Sequence, residues 1–305
     1  WAQFKGYMNW ALNWNLWSAL RWSDMGPFQM DRPALVMNRL LVLSLAAFFV
    51  VVAVRFHGRR GTDPVPIIHR LRPGALWGTA LRLAPFAVVP LALGASLGVM
   101  VSRGAQSDVA KKKAHDYWKQ NLATWKDAPQ PEIVDVDLKL ALDPLSSHFK
   151  TEGRFTLSNP HAVPLKRFAL TGGFHWTDVA WTFNGKEYKP ENRTSLFAFT
   201  PETPLQPGET VDVGFAFEGN FPKGTSKNGG GAMEFILPAG VVLTAFGPSF
   251  VPIVGYDETI GIEEDKNRYE TRVYPDDFYE GVTEPAFGSG SAFTARVTIH
   301  GPADY

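Results

Sequence analysis

Two long apolar stretches constrain this chain more than any other feature. The run from Ala34 to Val54 is strongly apolar, with Asn38 and Arg39 near its start, and the run from Leu83 to Val101 contains no charged residue. Each is close to the roughly 20 residues that a helix needs to cross the ~30 Å hydrocarbon core of a bilayer. Helices buried in a large soluble protein usually keep polar residues along one side. These runs do not, and the expectation is a pair of transmembrane helices.

The segment between them sets the expected orientation. Residues 55–82 hold Arg55, Arg59, Arg60, Arg70, Arg72 and Arg82 against the single acid Asp63. Basic loops stay on the cytoplasmic side, so both flanks are expected outside. Lys111, Lys112 and Lys113 follow the second run closely, but the arginines outnumber them. Residues 1–32 carry Trp10, Trp14 and Trp17 at helical spacing, with Trp22 beyond. Indole rings favour the headgroup level, which suggests an interfacial helix; a loop packed on protein is the alternative.

Beyond Val101 the composition becomes that of a water-soluble, strand-rich domain. The whole chain of 305 residues has 30 basic and 30 acidic side chains, so it lacks the basic excess that nucleic-acid binding needs. It has no cysteine, which excludes disulfides and thiolate metal sites. Its start at Trp1 without an initiator Met, and an open strand pattern close to Tyr305, suggest a piece truncated at both ends.

Residues 106–127 suit a helix bearing Tyr117, Leu122 and Trp125, ended by Pro129 and Pro131. It is expected to be a stalk within residues 105–130. Period-two alternation then takes over. Strands are expected at Ile133–Leu142, His148–Leu157, Leu165–Leu170, Val179–Phe183, Lys186–Tyr188, Ser195–Thr200 and Thr210–Glu218. Further ones are expected at Met233–Leu237, Gly240–Thr244, Arg268–Val273 and Phe293–His300. Asn184-Gly185 between two runs is a strong hairpin signal. The expected organisation is an interfacial segment (1–32), two transmembrane α-helices with a cytoplasmic loop (33–104, loop 55–82), a stalk (105–130) and an all-β domain (131–305). For that last domain an antiparallel sandwich or a saddle-like sheet is expected.

Four segments, in order, carry a resemblance: VDVDLKLALDP from Val134, TEGRFTLSNPHAVPLKRFAL from Thr151, LQPGETVDVGFAFEG from Leu205 and AFGPSFVPIVGYDE from Ala245. They contain a G-x-x-x-L-x-N strand (Gly153, Leu157, Asn159) and an L-x-x-G-x-x-x-x-V-x-F strand (Leu205, Gly208, Val213, Phe215). This order resembles the N-terminal β domain of aminopeptidase N-like zinc metallopeptidases. With the preceding spans, the layout looks like bacterial fusions of an ABC-type permease to such a peptidase. The resemblance implies an inner-membrane location and an extracytoplasmic β domain. It also implies peptides as substrates of the whole protein and zinc in a catalytic domain missing from this stretch.

That family holds zinc with H-E-x-x-H, in which two His four apart share one helical face and the Glu serves as base. The histidines here are His57, His69, His115, His148, His161, His175 and His300, and no two are four apart. No catalytic, cofactor or metal residue is therefore assigned in this stretch. Gly231-Ala-Met-Glu234-Phe235 is similar to the family's G-A-M-E-N loop, whose Glu holds the substrate amine. Phe235 stands where the Asn would be, so a glycine-rich turn is the plainer reading. His175 and Asp178 beside Trp176 could hydrogen-bond or bind an ion, and the acidic run Asp257-Glu258 with Glu263-Glu264-Asp265 could bind calcium or peptide amines; a polar loop and a solvated surface are the plainer readings. The acidic run lacks the Asp-x-Asp-x-Asp-Gly loop of calcium sites, and no P-loop is present. A transporter built on this chain would need a separate ATPase subunit. The competing expectation is a non-enzymatic membrane-anchored β-sandwich binding protein, or an accessory domain of an ABC-type transporter.

Overall fold

The computed structural model describes residues 9–14, 27–56, 72–104, 108–221, 234–244, 246–257 and 292–303. The described residues divide into two compact units, meeting in sequence between Ser107 and Asp108.

The first unit is built on helices α1 (Pro27–Phe56) and α2 (Pro73–Arg103). Both are long and apolar enough to cross a membrane. At 1.5 Å per residue each extends about 45 Å. They pack along one seam, where Ala34, Leu41, Leu97 and Val101 are buried. Gly94 faces Leu41 across that seam, where a Cβ would stand 3.8 Å from Leu41 Cδ1, an ordinary contact. Away from the seam the apolar side chains point outward. Only 11% and 17% of the most apolar window of each helix is buried, whereas a core helix of a soluble protein would be mostly covered. Pro85 and Pro90 interrupt the α2 hydrogen-bond ladder, a feature that membrane helices tolerate better than soluble ones.

Asn38 and Arg39, the polar pair in the first apolar run, have a local explanation. Asn38 is fully buried, and its Nδ2 donates to the Trp10 carbonyl at 2.6 Å and to that of Asn13 at 3.4 Å. Arg39 donates to the Trp14 carbonyl and to Asn38 Oδ1. The pair thus satisfies carbonyls of a turn over residues 9–14 that would otherwise be orphaned beside an apolar helix. Trp10 is buried in the helix seam while Trp14 is 47% exposed, so this turn packs on protein. Trp17 and Trp22 lie outside the described residues.

The second unit opens with α3 (Asp108–Trp125). A six-stranded sheet runs in the order β12-β1-β2-β8-β4-β5. Its strands are β1 (Glu132–Asp143), β2 (His148–Ser158), β4 (Trp176–Phe183), β5 (Lys186–Tyr188), β8 (Thr210–Asn220) and β12 (Thr294–His300). A four-stranded sheet is ordered β11-β3-β7-β6, from β3 (Phe168–Thr171), β6 (Glu191–Arg193), β7 (Leu196–Phe199) and β11 (Ile253–Val254). A hairpin of β9 (Phe235–Leu237) and β10 (Gly240–Val242) stands beside them.

The two larger sheets share one core. Val136, Leu138 and Leu140 of β1, Phe149, Phe155 and Leu157 of β2, and Val211, Val213, Phe215 and Phe217 of β8 meet Phe168, Leu170, Phe197 and Phe199 of the smaller sheet. The alternation seen in sequence is therefore the pleat of a half-buried sheet. Turn chemistry is equally local. Asn184 and Gly185, at φ 49° and 75°, form the β4–β5 reversal with both residues left-handed, as a type I′ turn requires. Asp143 Oδ1 accepts from Leu145 N–H at 3.1 Å, turning the chain between β1 and β2.

Two expectations need correction. The larger sheet is mixed rather than purely antiparallel, because β12 pairs with β1 in parallel, Leu138 opposite Val297 and Leu140 opposite Ile299. A hairpin forces its strands antiparallel. No hairpin links β1 to a strand so distant in sequence, and alternation alone carries no direction. The second correction concerns the stalk. On α3, Tyr117, Asn121 and Trp125 are buried, and Tyr117 and Trp125 cluster with Ala169, Leu196 and Ala198 of the smaller sheet. These positions, at i, i+4 and i+8, form a docking face, two of them aromatic and the middle one a hydrogen-bonded asparagine. Strands β6 and β11, of three and two residues, are not among the expected strands. The strand expected at Arg268–Val273 lies outside the described residues.

Candidate functional site

The motif residues fall together on β2, β8 and the connections around them. Gly153 pairs with Phe215 across the β2–β8 ladder. A Cβ on Gly153 would lie 2.6 Å from Phe215 Cζ and 2.9 Å from the Asp137 carbonyl oxygen. Only glycine lets that ring lie flat over the strand. Asn159 is 1% exposed and closes the far end. Its Nδ2 donates to the carbonyls of Val163 (2.9 Å) and Leu205 (2.8 Å), while its Oδ1 accepts from His161 N–H at 2.9 Å. Its backbone N–H donates to Glu209 O and its carbonyl accepts from Gly208 N–H. Gly208 sits at φ 72°, the left-handed turn that its motif position demands. The two motifs thus form one clasp, in which Gly153 receives Phe215 and Asn159 holds the turn around Leu205 and Gly208. Every contact in it is structural.

A second polar chain ties α3 to the sheet. Thr171 Oγ1 donates to the Gly255 carbonyl at 2.7 Å, so its 2.9 Å bond with Tyr117 must take the tyrosine hydroxyl as donor. The Tyr117 oxygen accepts in turn from Asp257 N–H at 3.4 Å. Tyr117 stacks on Tyr256 at 5.3 Å, and Asn121 donates to the carbonyls of Tyr117 and Arg193. Burial pushes the Tyr117 phenol well above its ordinary value, although its bonds to Thr171 and Asp257 oppose the shift. It is a neutral structural hydroxyl.

The candidate residues separate when placed in the fold. His175 Nε2 lies 2.8 Å from the Ser249 carbonyl, and its ring packs on Phe149 and Phe221, both at 5.7 Å. Asp178 is exposed on a β4 irregularity at φ 52°. Glu234 Oε1 accepts from Thr244 N–H (2.9 Å) and Oγ1 (3.3 Å), and so braces the β9–β10 hairpin. Gly231 to Met233, Glu258 and Glu263 to Asp265 lie outside the described residues. Asp257 joins the Tyr117 chain through its backbone N–H.

Among the described residues no group of three or more His, Asp or Glu is placed to hold a metal ion, so this donor set does not fit a zinc site. Burial lowers the pKa of His175, against the opposing effects of its bond to Ser249 and the Glu234 carboxylate. The fold favours neutral imidazole, so protons bind the unfolded chain more readily. Stability is whole above the ordinary histidine value of about 6.5 and falls as pH drops below it. Urea titrations between pH 7.5 and 5 are expected to show this acid limb. In His175→Gln the limb should shrink; an unchanged limb would assign it to other groups.

No family model matches the sequence, and no curated protein matches it. Among solved structures, an M1 zinc metallopeptidase from Deinococcus radiodurans is similar, at 24% identity over 30% of this chain and 20% of that one, with a TM-score of 0.27. A mutant M1 zinc metallopeptidase from the same organism, bound to a Tyr-Ser-Ala substrate, matches at 24% identity over 30% and 21%, also with a TM-score of 0.27. The chain spans about a fifth of the length of these structures.

Proposed function

We propose that this chain supplies the membrane anchor and non-catalytic N-terminal β domain of a permease-fused zinc aminopeptidase. Peptides are hydrolysed by a further domain that carries the zinc. α1 and α2 cross the inner membrane of a bacterium, the arginine-rich loop 55–82 is cytoplasmic, and the β unit lies outside. A separate ATPase subunit serves the permease.

The observation that carries the reading is the inner face of β12, which is exposed among the described residues. Ala295, Val297 and Ile299 continue the row set by Val136, Leu138 and Leu140 on β1. The β1 residues are fully buried, yet Val297 is 38% and Ile299 61% exposed. An apolar sheet face of this kind needs a partner, and a catalytic domain packed there would cover it. The order of the motif strands supports the same reading. Reading the gene in both directions tests it: an H-E-x-x-H within a few hundred residues downstream, with zinc-dependent release of N-terminal residues by the product, is the expected result. Absence of that motif would overturn the proposal and leave the non-enzymatic binding protein. That alternative predicts a β unit that stays monomeric and folded when expressed from about residue 108.

A further inference from the structure

Arg32, Val36, Arg39 and Leu43 follow one another at steps of four, three and four residues, which return each of them to the same side of α1. That side is open. Arg32 is exposed, Val36 is 49% and Leu43 66% exposed, and Val50, two turns beyond Leu43, is 61% exposed. Arg39 is partly buried and held in place. Its Nε donates to Asn38 Oδ1 at 3.0 Å and its Nη2 to the Trp14 carbonyl, both neutral oxygens. Its Nη1 makes no hydrogen bond among the described residues, yet it is not sealed in as the Trp10 indole nitrogen is. No carboxylate among the described residues pairs with Arg39, Arg32 or Arg103. Asp31 stands about 100° round the axis from this face.

Depth makes the missing counter-charge matter. Arg55, in the last turn of α1, opens the arginine-rich loop, which stays in a headgroup layer. Arg39 lies 16 residues before it, about 24 Å along the axis, and the hydrocarbon is ~30 Å thick. Arg39 therefore falls short of the far headgroups, at a depth where an uncompensated cation is costly. Snorkelling would relieve that cost, but Arg39 is tied to Asn38 and to the Trp14 carbonyl. Arg32, about 35 Å from Arg55, does reach the headgroups. Arg103 joins it there, because Leu41 faces Gly94 and the two arginines lie nine residues outward from that pair on the two arms of the hairpin. We infer that this face binds an anionic phospholipid of the leaflet opposite the arginine-rich loop. Its phosphodiester bridges Arg32 and Arg39, with one oxygen accepting from Arg39 Nη1, and Arg103 adds to the field. One acyl chain runs down the open side past Leu43 and Val50. Trp14, 47% exposed, borders the site at the level where indole rings settle. The inference rests on the two helices crossing a membrane, and neither on the peptidase nor on which side the loop faces.

The test uses the full chain in two preparations. Vesicles of equal parts phosphatidylcholine and phosphatidylglycerol, washed with alkali, report on the spans alone: an inserted chain stays with the lipid. Native mass spectrometry of the chain in detergent, titrated with either lipid, reads the site. The expected result is saturable retention of one phosphatidylglycerol, held about 5-fold or more tighter than phosphatidylcholine. Arg32→Gln changes an exposed position and should weaken that retention about 5-fold, the worth of one arginine beside an anionic headgroup. Arg39→Gln should cost at least as much, and Arg39→Lys, which restores the charge without the fork, should recover part of it. Arg55→Gln, at the other end of α1, should leave the retained lipid unchanged. Excess inorganic phosphate should not displace it, since the acyl chain contributes to binding. Equal retention of the two lipids, full retention in Arg32→Gln and Arg39→Gln, an equal loss in Arg55→Gln, or displacement by phosphate would each overturn the inference and leave the spans standing. Release of the chain by alkali would overturn both.

Discussion

Phe199→Ala is expected to cost the β unit about 3–5 kcal/mol, the usual range for truncating a fully buried aromatic. Phe199 is 0% exposed and holds the two sheets together. Its ring stacks on Phe168 at 5.1 Å within its own sheet. From the larger sheet it receives Trp181 edge-on at 5.4 Å and Tyr188 stacked at 5.3 Å. Removing the ring opens a cavity between β4, β5 and β7, and rigid strands on both sides prevent its collapse. The check is guanidinium unfolding of the full chain, followed by tryptophan fluorescence. A midpoint shift worth less than about 1 kcal/mol would show that the sheets can close around the gap. Phe199→Leu, which refills part of the volume, should recover a good share of the loss.

Asn159→Ala should cost about 2–3 kcal/mol, for a different reason. No large volume is lost, but two carbonyls and one N–H give up their side-chain partner in a site with no room for bulk water. Because Leu165 N–H also donates to Leu205 O at 2.9 Å, that carbonyl keeps one bond, and the penalty stays below the sum of three. Asn159→Asp separates the contributions: the acceptor for His161 N–H survives, both donations are lost, and a buried charge is added. It should therefore be worse than alanine at neutral pH and improve as pH falls. A loss in Asn159→Ala below about 0.5 kcal/mol would mean that the turn around Gly208 holds without the clasp.

How much of this was legible beforehand depended on the range of each signal. The helices and the principal strands of the β unit lay open to reading because period 3.6 and period 2 are written in successive residues, and Asn184-Gly185 names its own turn. The motif glycines and Asn159 stood out in the sequence, but their roles did not. That Gly153 receives Phe215, and that Asn159 reaches Leu205, depends on contacts between residues 62 and 46 positions apart. Where the residues weighed as ion sites point depends on the same long-range pairing. His175 and Asp178 are neighbours in sequence, yet one turns toward Phe149 and Ser249 while the other sits exposed on a strand irregularity.

The two apolar runs with which the reading began were determined by sequence alone. Their length and strongly apolar composition suffice to make helices fit to cross a bilayer, since both properties are local and additive along the chain. What Asn38 and Arg39 do inside the first run was a tertiary matter, answered by the carbonyls of Trp10, Asn13 and Trp14. The same holds for the parallel direction of β12 and the docking of α3. Each arises where segments distant in sequence meet, and contact geometry between them is a property that no periodicity encodes.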